Sequence, residues 1–190
     1  MEYMGNEKYW DDKFSSRGDN LLCPEKSIVQ NLEYLKRGSV LDIACGDGRN
    51  SLYLLKNGFE VTGVDFSNKA VERLRLFAKQ NNYFVNTKQI DLNEPNTLKK
   101  IGTFDNIIIN HYRLNKNQFL DIENQITNEG ILFVCGFGHK HQVDSKIRKQ
   151  DLIQQDDFED IYKSFELIRY FENQDDIGFF VTYIFRKIKS

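Results

Sequence analysis

Asp42 and Asp47 flank a glycine-bearing turn, "DIACGDGRN", and Asp65 and Asp91 close two later apolar runs, "VTGVDF" and "QIDL". Carboxylates gathered at one place demand a cation or hydroxyl donors to offset their repulsion. Singly, each also fits a turn or helix-cap aspartate. Asp65 is placed where a carboxylate accepts both hydroxyls of a ribose, as in nucleotide sites. Gly46 and Gly48 let backbone approach a ligand without an intruding Cβ. A second set, "NHYR" at Asn110–Arg113 and "HKH" at His139–His141, offers imidazole and phenol groups for substrate contact or proton transfer, with Arg113 as an anion clamp. The second stretch fits an ordinary polar loop equally well, and it lacks the third ligand that a metal site requires. Gly46, Gly48 and Ser51 spell G-x-G-x-x-S, one residue from the dinucleotide pattern. That pattern seats a pyrophosphate, which Asp42 and Asp47 would repel.

The elements that must hold these residues alternate. Ile28, Leu32 and Leu35 mark a helix after Pro24, and "SVLDIA" is a strand. Ser51–Lys56 is a helix closed by Asn57-Gly58, and "FEVTGVDF" is a second strand. Ser67 caps a helix with Ala70, Val71, Leu74, Phe77 and Ala78 inward. "YFVNTKQIDL" is a third strand, followed by a short helix or loop around Pro95, and "FDNIIIN" is a fourth, fully buried strand. Phe119, Ile122 and Ile126 face inward from a helix ending at Asn128-Glu129-Gly130, before the strand "ILFVCGF". A polar loop follows, with Lys146–Lys149 expected on a solvated helix face and a further helix over Asp156–Lys163. "FELIRYFE" and "GFFVTYIFRK" form a hairpin that adds an antiparallel strand at one end of the sheet. Strand–helix alternation through five strands implies a parallel sheet covered on both faces, with ligands at the carboxyl ends of the strands.

The 190 residues suit one domain, and a net charge of −2 predicts no general attraction to nucleic acid or anionic membrane. Three cysteines without CxxC spacing indicate neither a disulfide framework nor zinc, and Cys45 and Cys135 read as buried small hydrophobes. The amino terminus is too polar for a signal peptide and no run approaches a membrane span, so the expected compartment is the cytoplasm.

"VLDIACGDGRN", "VTGVDFS", "IDL", "FDNIIIN" and "GILFVCGF" resemble, in order, the motifs of class I S-adenosylmethionine-dependent methyltransferases. "CGDGRNSLYL", "FDNIIINHYRL" and the closing helix–hairpin are similar to the small tellurite-resistance-type group. Ala44 stands where the first motif glycine is expected, and "NHYRLNK" is unusually polar. The resemblance implies a Rossmann-like, doubly wound α/β fold: a mostly parallel seven-stranded sheet with an antiparallel C-terminal hairpin strand. Residues 37–190 would form the core, and residues 1–36 a helical cover carrying Tyr9, Trp10 and Phe14. The implied cofactor is S-adenosylmethionine, leaving as S-adenosylhomocysteine. Its methionine part would face Asp42, Ala44, Cys45, Gly46 and Gly48, with Asn50 or Arg49 helping at the carboxylate. Asp65 would take the ribose, Phe66 and Leu92 the adenine, Asp91 its amino group, and Asn110 the methionyl group; Trp10 would close over them. His111, Tyr112 and His139 are the candidates for catalysis on a small acceptor such as a thiol, chalcogen or metalloid oxyanion, with no metal. The chain is expected as a monomer or homodimer. A non-catalytic cofactor sensor and a nicotinamide-dependent oxidoreductase are the other readings.

Overall fold

The run Ile107–Ile109 sets the layering, because neighbouring side chains of a strand point to opposite faces. In the computed structural model, which describes residues 6–94, 96–144 and 146–189, Ile107 and Ile109 enter one hydrophobic core and Ile108 the other. All three are fully buried.

The elements are α1 (Glu7–Ser16), α2 (Lys26–Gln30), β1 (Ser39–Ile43), α3 (Arg49–Lys56), β2 (Glu60–Asp65), α4 (Asn68–Gln80), β3 (Asn86–Gln89), β4 (Phe104–Asn110), α5 (Lys116–Glu123), β5 (Ile126–Phe137), β6 (Phe165–Gln174) and β7 (Phe179–Lys187). They build a seven-stranded sheet of order β3-β2-β1-β4-β5-β7-β6. β1 to β5 pair in parallel, while β7 is antiparallel to both β5 and β6. The Rossmann-like α/β architecture is therefore the one expected, with one difference in the hairpin. Its antiparallel strand is inserted beside β5 rather than added at the end, and β6 takes the edge. β7 carries the apolar string that belongs inside a sheet, whereas β6 is exposed along most of its length.

One face is covered by α5 and by 3-10 turns at Gln155–Phe158 and Ile161–Lys163, through Phe119, Ile122, Phe158 and Ile161. The opposite face is covered by α2 and α3, through Ile28 and Leu54, with α4 packing alongside through Leu74, Phe77 and Ala78.

Several expected boundaries move. The helix over Asp156–Lys163 is two 3-10 turns, and that over Ile28–Leu35 is α2 followed by a 3-10 turn at Leu32–Tyr34. Ile126 is not on α5 but begins β5, opposite Phe104, and a register shift then absorbs Asn128-Glu129-Gly130 within the strand. Ile126 is apolar at helical spacing and at strand position alike, so periodicity does not separate the two. β3 is shorter than expected, and Lys146–Lys149 lie outside any α-helix. Pro95 and residues 1–5 of the expected cover lie outside the described residues.

Candidate functional site

The parallel strands end at a common rim, where a cavity of about 1520 Å³ opens between α1, the strand-end loops and residues 140–144 and 146–153. That exceeds the roughly 300–1,000 Å³ typical of a single-ligand pocket.

The turn after β1 is held in left-handed backbone at Ala44 (φ 55°), Gly46 (φ 56°) and Gly48 (φ 90°). Ala44 accepts this conformation despite its Cβ, at a cost on the order of 1 kcal/mol. The glycines answer to packing on the protein side. A Cβ on Gly46 would lie 3.2 Å from the Phe14 ring of α1, and one on Gly48 2.2 Å from Leu74 Cδ1 of α4. Gly48 is absent from the cavity wall, where the sequence reading had placed it against the ligand. The left-handed turn faces it inward, toward α4.

Asp42 is a second correction. It lies beneath the turn, 1% exposed, accepts a hydrogen bond from Ser51 Oγ at 2.6 Å, and does not line the cavity. Burial pushes its pKa up to about 7, against the Ser51 hydrogen bond and with help from the Asp65 charge. Asp47 is also turned away from the role of cation receiver: its Oδ2 sits 2.9 Å from Arg17 and 3.4 Å from Arg73, tying α1 and α4 to the turn.

Asp65 is the carboxylate the fold aims at the rim. Its Oδ2 accepts from Gly46 N at 2.8 Å and its Oδ1 from Ser67 N at 2.9 Å. A carboxylate offers about four lone-pair sites, so two N–H partners leave acceptor capacity for hydroxyls. Burial raises its pKa despite those hydrogen bonds. Phe66 and Leu92 are half-buried on the wall, and Asp91 is exposed there, its Oδ1 capping its own turn through Asn93 N at 2.8 Å. Cys45 and Asn50 reach the wall as well, but Asn50 Oδ1 is taken by the backbone N–H of Glu25 at 2.9 Å.

At the end of β4, Asn110 is 8% exposed and its Oδ1 is buried without a hydrogen-bond partner. An orphaned acceptor of this kind at a cavity wall suits a donor group of a ligand. His111 follows in left-handed backbone (φ 57°) and lines the cavity together with Tyr112. Arg113 is drawn away onto Asp157, which its Nε meets at 2.8 Å. His139 is a third correction: it is exposed, packs edge-on at 5.9 Å against Phe179, and is not on the cavity wall. The turn closed by His141 N donating to Gly138 O points position 139 outward and brings His141 to the wall instead.

Glu25 is the residue the sequence reading missed. Its Oε1 lies 2.8 Å from His111 Nε2 and also meets Arg49. Burial pushes its pKa up, but the hydrogen bond and charge of His111, the Arg49 charge and the Asn110 amide outweigh that and hold it below the usual range. The sequence signal for Glu25 is an acid at a helix start beside Pro24, which reads as a cap. Its partner is 86 residues away.

The amino-terminal helix α1 stands over this rim. Asn6 caps it, Asp11 Oδ1 accepts from Ser67 Oγ at 2.5 Å and Lys69 N at 3.2 Å, and Trp10 stacks on Phe14 with ring centroids 5.7 Å apart. Trp10 lines the cavity with Lys13, whose Nζ lies 4.3 Å from the Trp10 ring centroid. Among the described residues, no three His, Cys, Asp or Glu side chains cluster as a metal site, and no helix is long and apolar enough to cross a membrane.

The model of the family described as tellurite resistance protein TehB matches residues 3–179. The "Probable S-adenosyl-L-methionine-dependent methyltransferase TehB" of Haemophilus influenzae (strain 10810) is 30% identical over 94 residues, covering 50% of this chain and 31% of that protein. The chain thus aligns with about a third of the length of this curated relative. The crystal structure of TehB from Haemophilus influenzae superposes with a TM-score of 0.71 at 21% identity, over 94% of this chain and 67% of that one. Magnesium protoporphyrin IX methyltransferase (ChlM) from Synechocystis PCC 6803, solved with bound S-adenosylmethionine, gives 0.63 at 15%, over 96% and 80%. At these identities the likeness is one of fold.

Proposed function

The chain belongs to the TehB family of tellurite resistance proteins, and from that premise we propose that it transfers a methyl group from S-adenosylmethionine to a small nucleophile. The single observation that carries this reading is Asp65, fixed by two backbone N–H groups at the end of β2 with acceptor capacity left at the cavity wall. The orphaned Asn110 Oδ1 fits the same ligand, as an acceptor for its ammonium.

On this reading Asp65 holds the ribose hydroxyls, with the Phe66 and Leu92 side chains against the adenine and Asp91 toward its amino group. Ala44, Cys45 and Gly46 present the turn to the methionine part, and Asn50 stiffens it through Glu25. The cofactor supplies a methyl group already activated on a sulfonium. The protein's part is then to align the acceptor and keep water out, the kind of positioning that accounts for much of the rate in such displacements. Trp10 on α1 closes the cofactor side, making residues 1–36 a cover over the 37–190 core. His111 and Tyr112 stand on the acceptor side, where a thiol, a chalcogen or a metalloid oxyanion would lie.

Asp65→Ala tests the assignment. Titration calorimetry with S-adenosylhomocysteine is expected to show no binding, while the cooperative melting transition survives. Wild-type affinity in that variant would overturn the assignment.

A further inference from the structure

We propose that Glu25 and His111 form a proton-accepting dyad, and that the methyl acceptor is a neutral thiol on an apolar body whose proton His111 takes as the sulfur attacks. This deepens the methyl-transfer reading above and rests on it.

The geometry of the dyad comes first. Glu25 Oε1 and His111 Nε2 are 2.8 Å apart, so the ionised carboxylate accepts the Nε2–H and leaves the basic lone pair on Nδ1. The imidazole is gripped by Phe137 and Phe180, with ring centroids at 5.5 and 5.3 Å. Its backbone is held in the left-handed region by His111 N donating to Cys135 O at 2.8 Å. Strained backbone of this kind persists where its surroundings over-determine it, often at functional sites. The charged and polar groups facing the ring are Glu25 from the segment before α2, Arg49 from the start of α3 and the Asn110 amide from β4. β5 and β7 present the Phe137 and Phe180 rings, with His141 behind Phe137 at 4.4 Å. Glu25 favours the imidazolium that forms during reaction, and Arg49, sharing the same carboxylate oxygen, restrains it.

The acceptor's character follows from the rest of the wall. Arg17, Arg49, Arg113, Arg148 and Lys140 each sit on a carboxylate, Lys13 lies over the Trp10 ring, and Lys146 is exposed. Five of those seven cations are neutralised by carboxylates, which leaves an oxyanion two lysines on this wall rather than a clamp of guanidinium groups. Phe137, Ile153 and Phe179 line the cavity, and Leu22, Val143 and Ile177 bring exposed apolar surface to its mouth. A neutral, apolar molecule is what this wall desolvates at least cost. Such a thiol arrives protonated near neutral pH. In the step, the new sulfur–carbon bond forms as the sulfonium carbon–sulfur bond breaks, whose electron pair stays on the departing thioether. The S–H proton passes to His111 Nδ1.

The test compares two thiols, benzyl thiol, protonated near neutral pH, and 4-nitrothiophenol, already ionised. Each is supplied with S-adenosylmethionine to the wild type, His111→Asn and Glu25→Gln. Asn tolerates left-handed backbone, so the first variant keeps the turn. Expected for His111→Asn is a loss of about 10²–10⁴-fold in kcat/KM on benzyl thiol and of about tenfold or less on 4-nitrothiophenol. For Glu25→Gln, kcat/KM should fall on benzyl thiol and hold within about threefold on 4-nitrothiophenol, because the carboxylate that fixes the Nε2–H tautomer matters only when a proton is taken. Equal losses on both thiols in His111→Asn, or in Glu25→Gln, would overturn the dyad. If the wild type binds S-adenosylhomocysteine by calorimetry yet methylates neither thiol, this proposal falls and the cofactor assignment stands. If it does not bind, both fall.

Discussion

Asp42 and Asp65 are carboxylates on neighbouring strands that meet opposite fates. Asp65 keeps two backbone donors and reaches the cavity, while Asp42 is sealed beneath the turn with Ser51. The sign of the Asp42 effect on stability follows from its raised pKa, about 7 in the folded chain against an ordinary aspartate value of 3.8. Between those values the unfolded chain releases a proton that the folded state keeps, so this residue's contribution falls as pH rises and levels off above about 7. Asp42→Asn is expected to be more stable than wild type at pH 8 by about 1–3 kcal/mol, with the difference vanishing toward pH 4. Urea unfolding of both proteins across that range checks it; a constant difference at all pH values contradicts it. Gly48→Ala is expected to cost about 3 kcal/mol or more, because its Cβ meets Leu74 at 2.2 Å in backbone with φ 90°. Adding Leu74→Ala should recover part of the local loss at Gly48, beyond additivity of the two variants, in the same unfolding measurement.

At the scale of elements, α1 is attached to the core by polar ties as well as by Phe14. Asp11 reaches the Ser67 cap of α4, and Arg17 reaches Asp47 in the turn. If α1 covers the cofactor, loosening it should weaken binding more than folding. Asp11→Ala is expected to lower S-adenosylhomocysteine affinity about tenfold while Tm drops by only a few degrees, with faster amide exchange across 7–16. Unchanged affinity together with faster exchange would remove α1 from the cofactor site. The resemblance implied a helical cover carrying Trp10 and Phe14, but the sequence does not give Asp11's destination, since an exposed helix aspartate has the same local signature as a tether. β5 shows the converse: its start at Ile126 was hidden because an apolar residue there satisfies either period.

For the whole molecule, a ligand that binds only the folded state stabilises it by about 2.7 kcal/mol at a hundredfold excess over Kd. For a chain of this size that is a rise in Tm of about 5–10 °C. S-adenosylhomocysteine is expected to produce it and nicotinamide dinucleotide to produce none in a thermal-shift measurement; the reverse pattern would restore the dinucleotide reading of the G-x-G-x-x-S turn.

What the sequence determined by itself was the alternation of strands and helices, the parallel sheet covered on both faces, and the rim where Asp65, Asp91 and Asn110 gather. Those follow from local periodicity and from the rule that parallel sheets bind at their carboxyl ends. The tertiary structure alone decided which carboxylates keep acceptor capacity at the cavity wall. Asp42 and Asp47 look like Asp65 in sequence, yet one is buried on Ser51 and the other neutralised by arginines from α1 and α4. It also decided that Gly48 makes room for Leu74, that His139 faces outward, and that Glu25 meets His111. Each of these depends on which distant side chain arrives opposite a residue, and packing between elements far apart in the chain sets that.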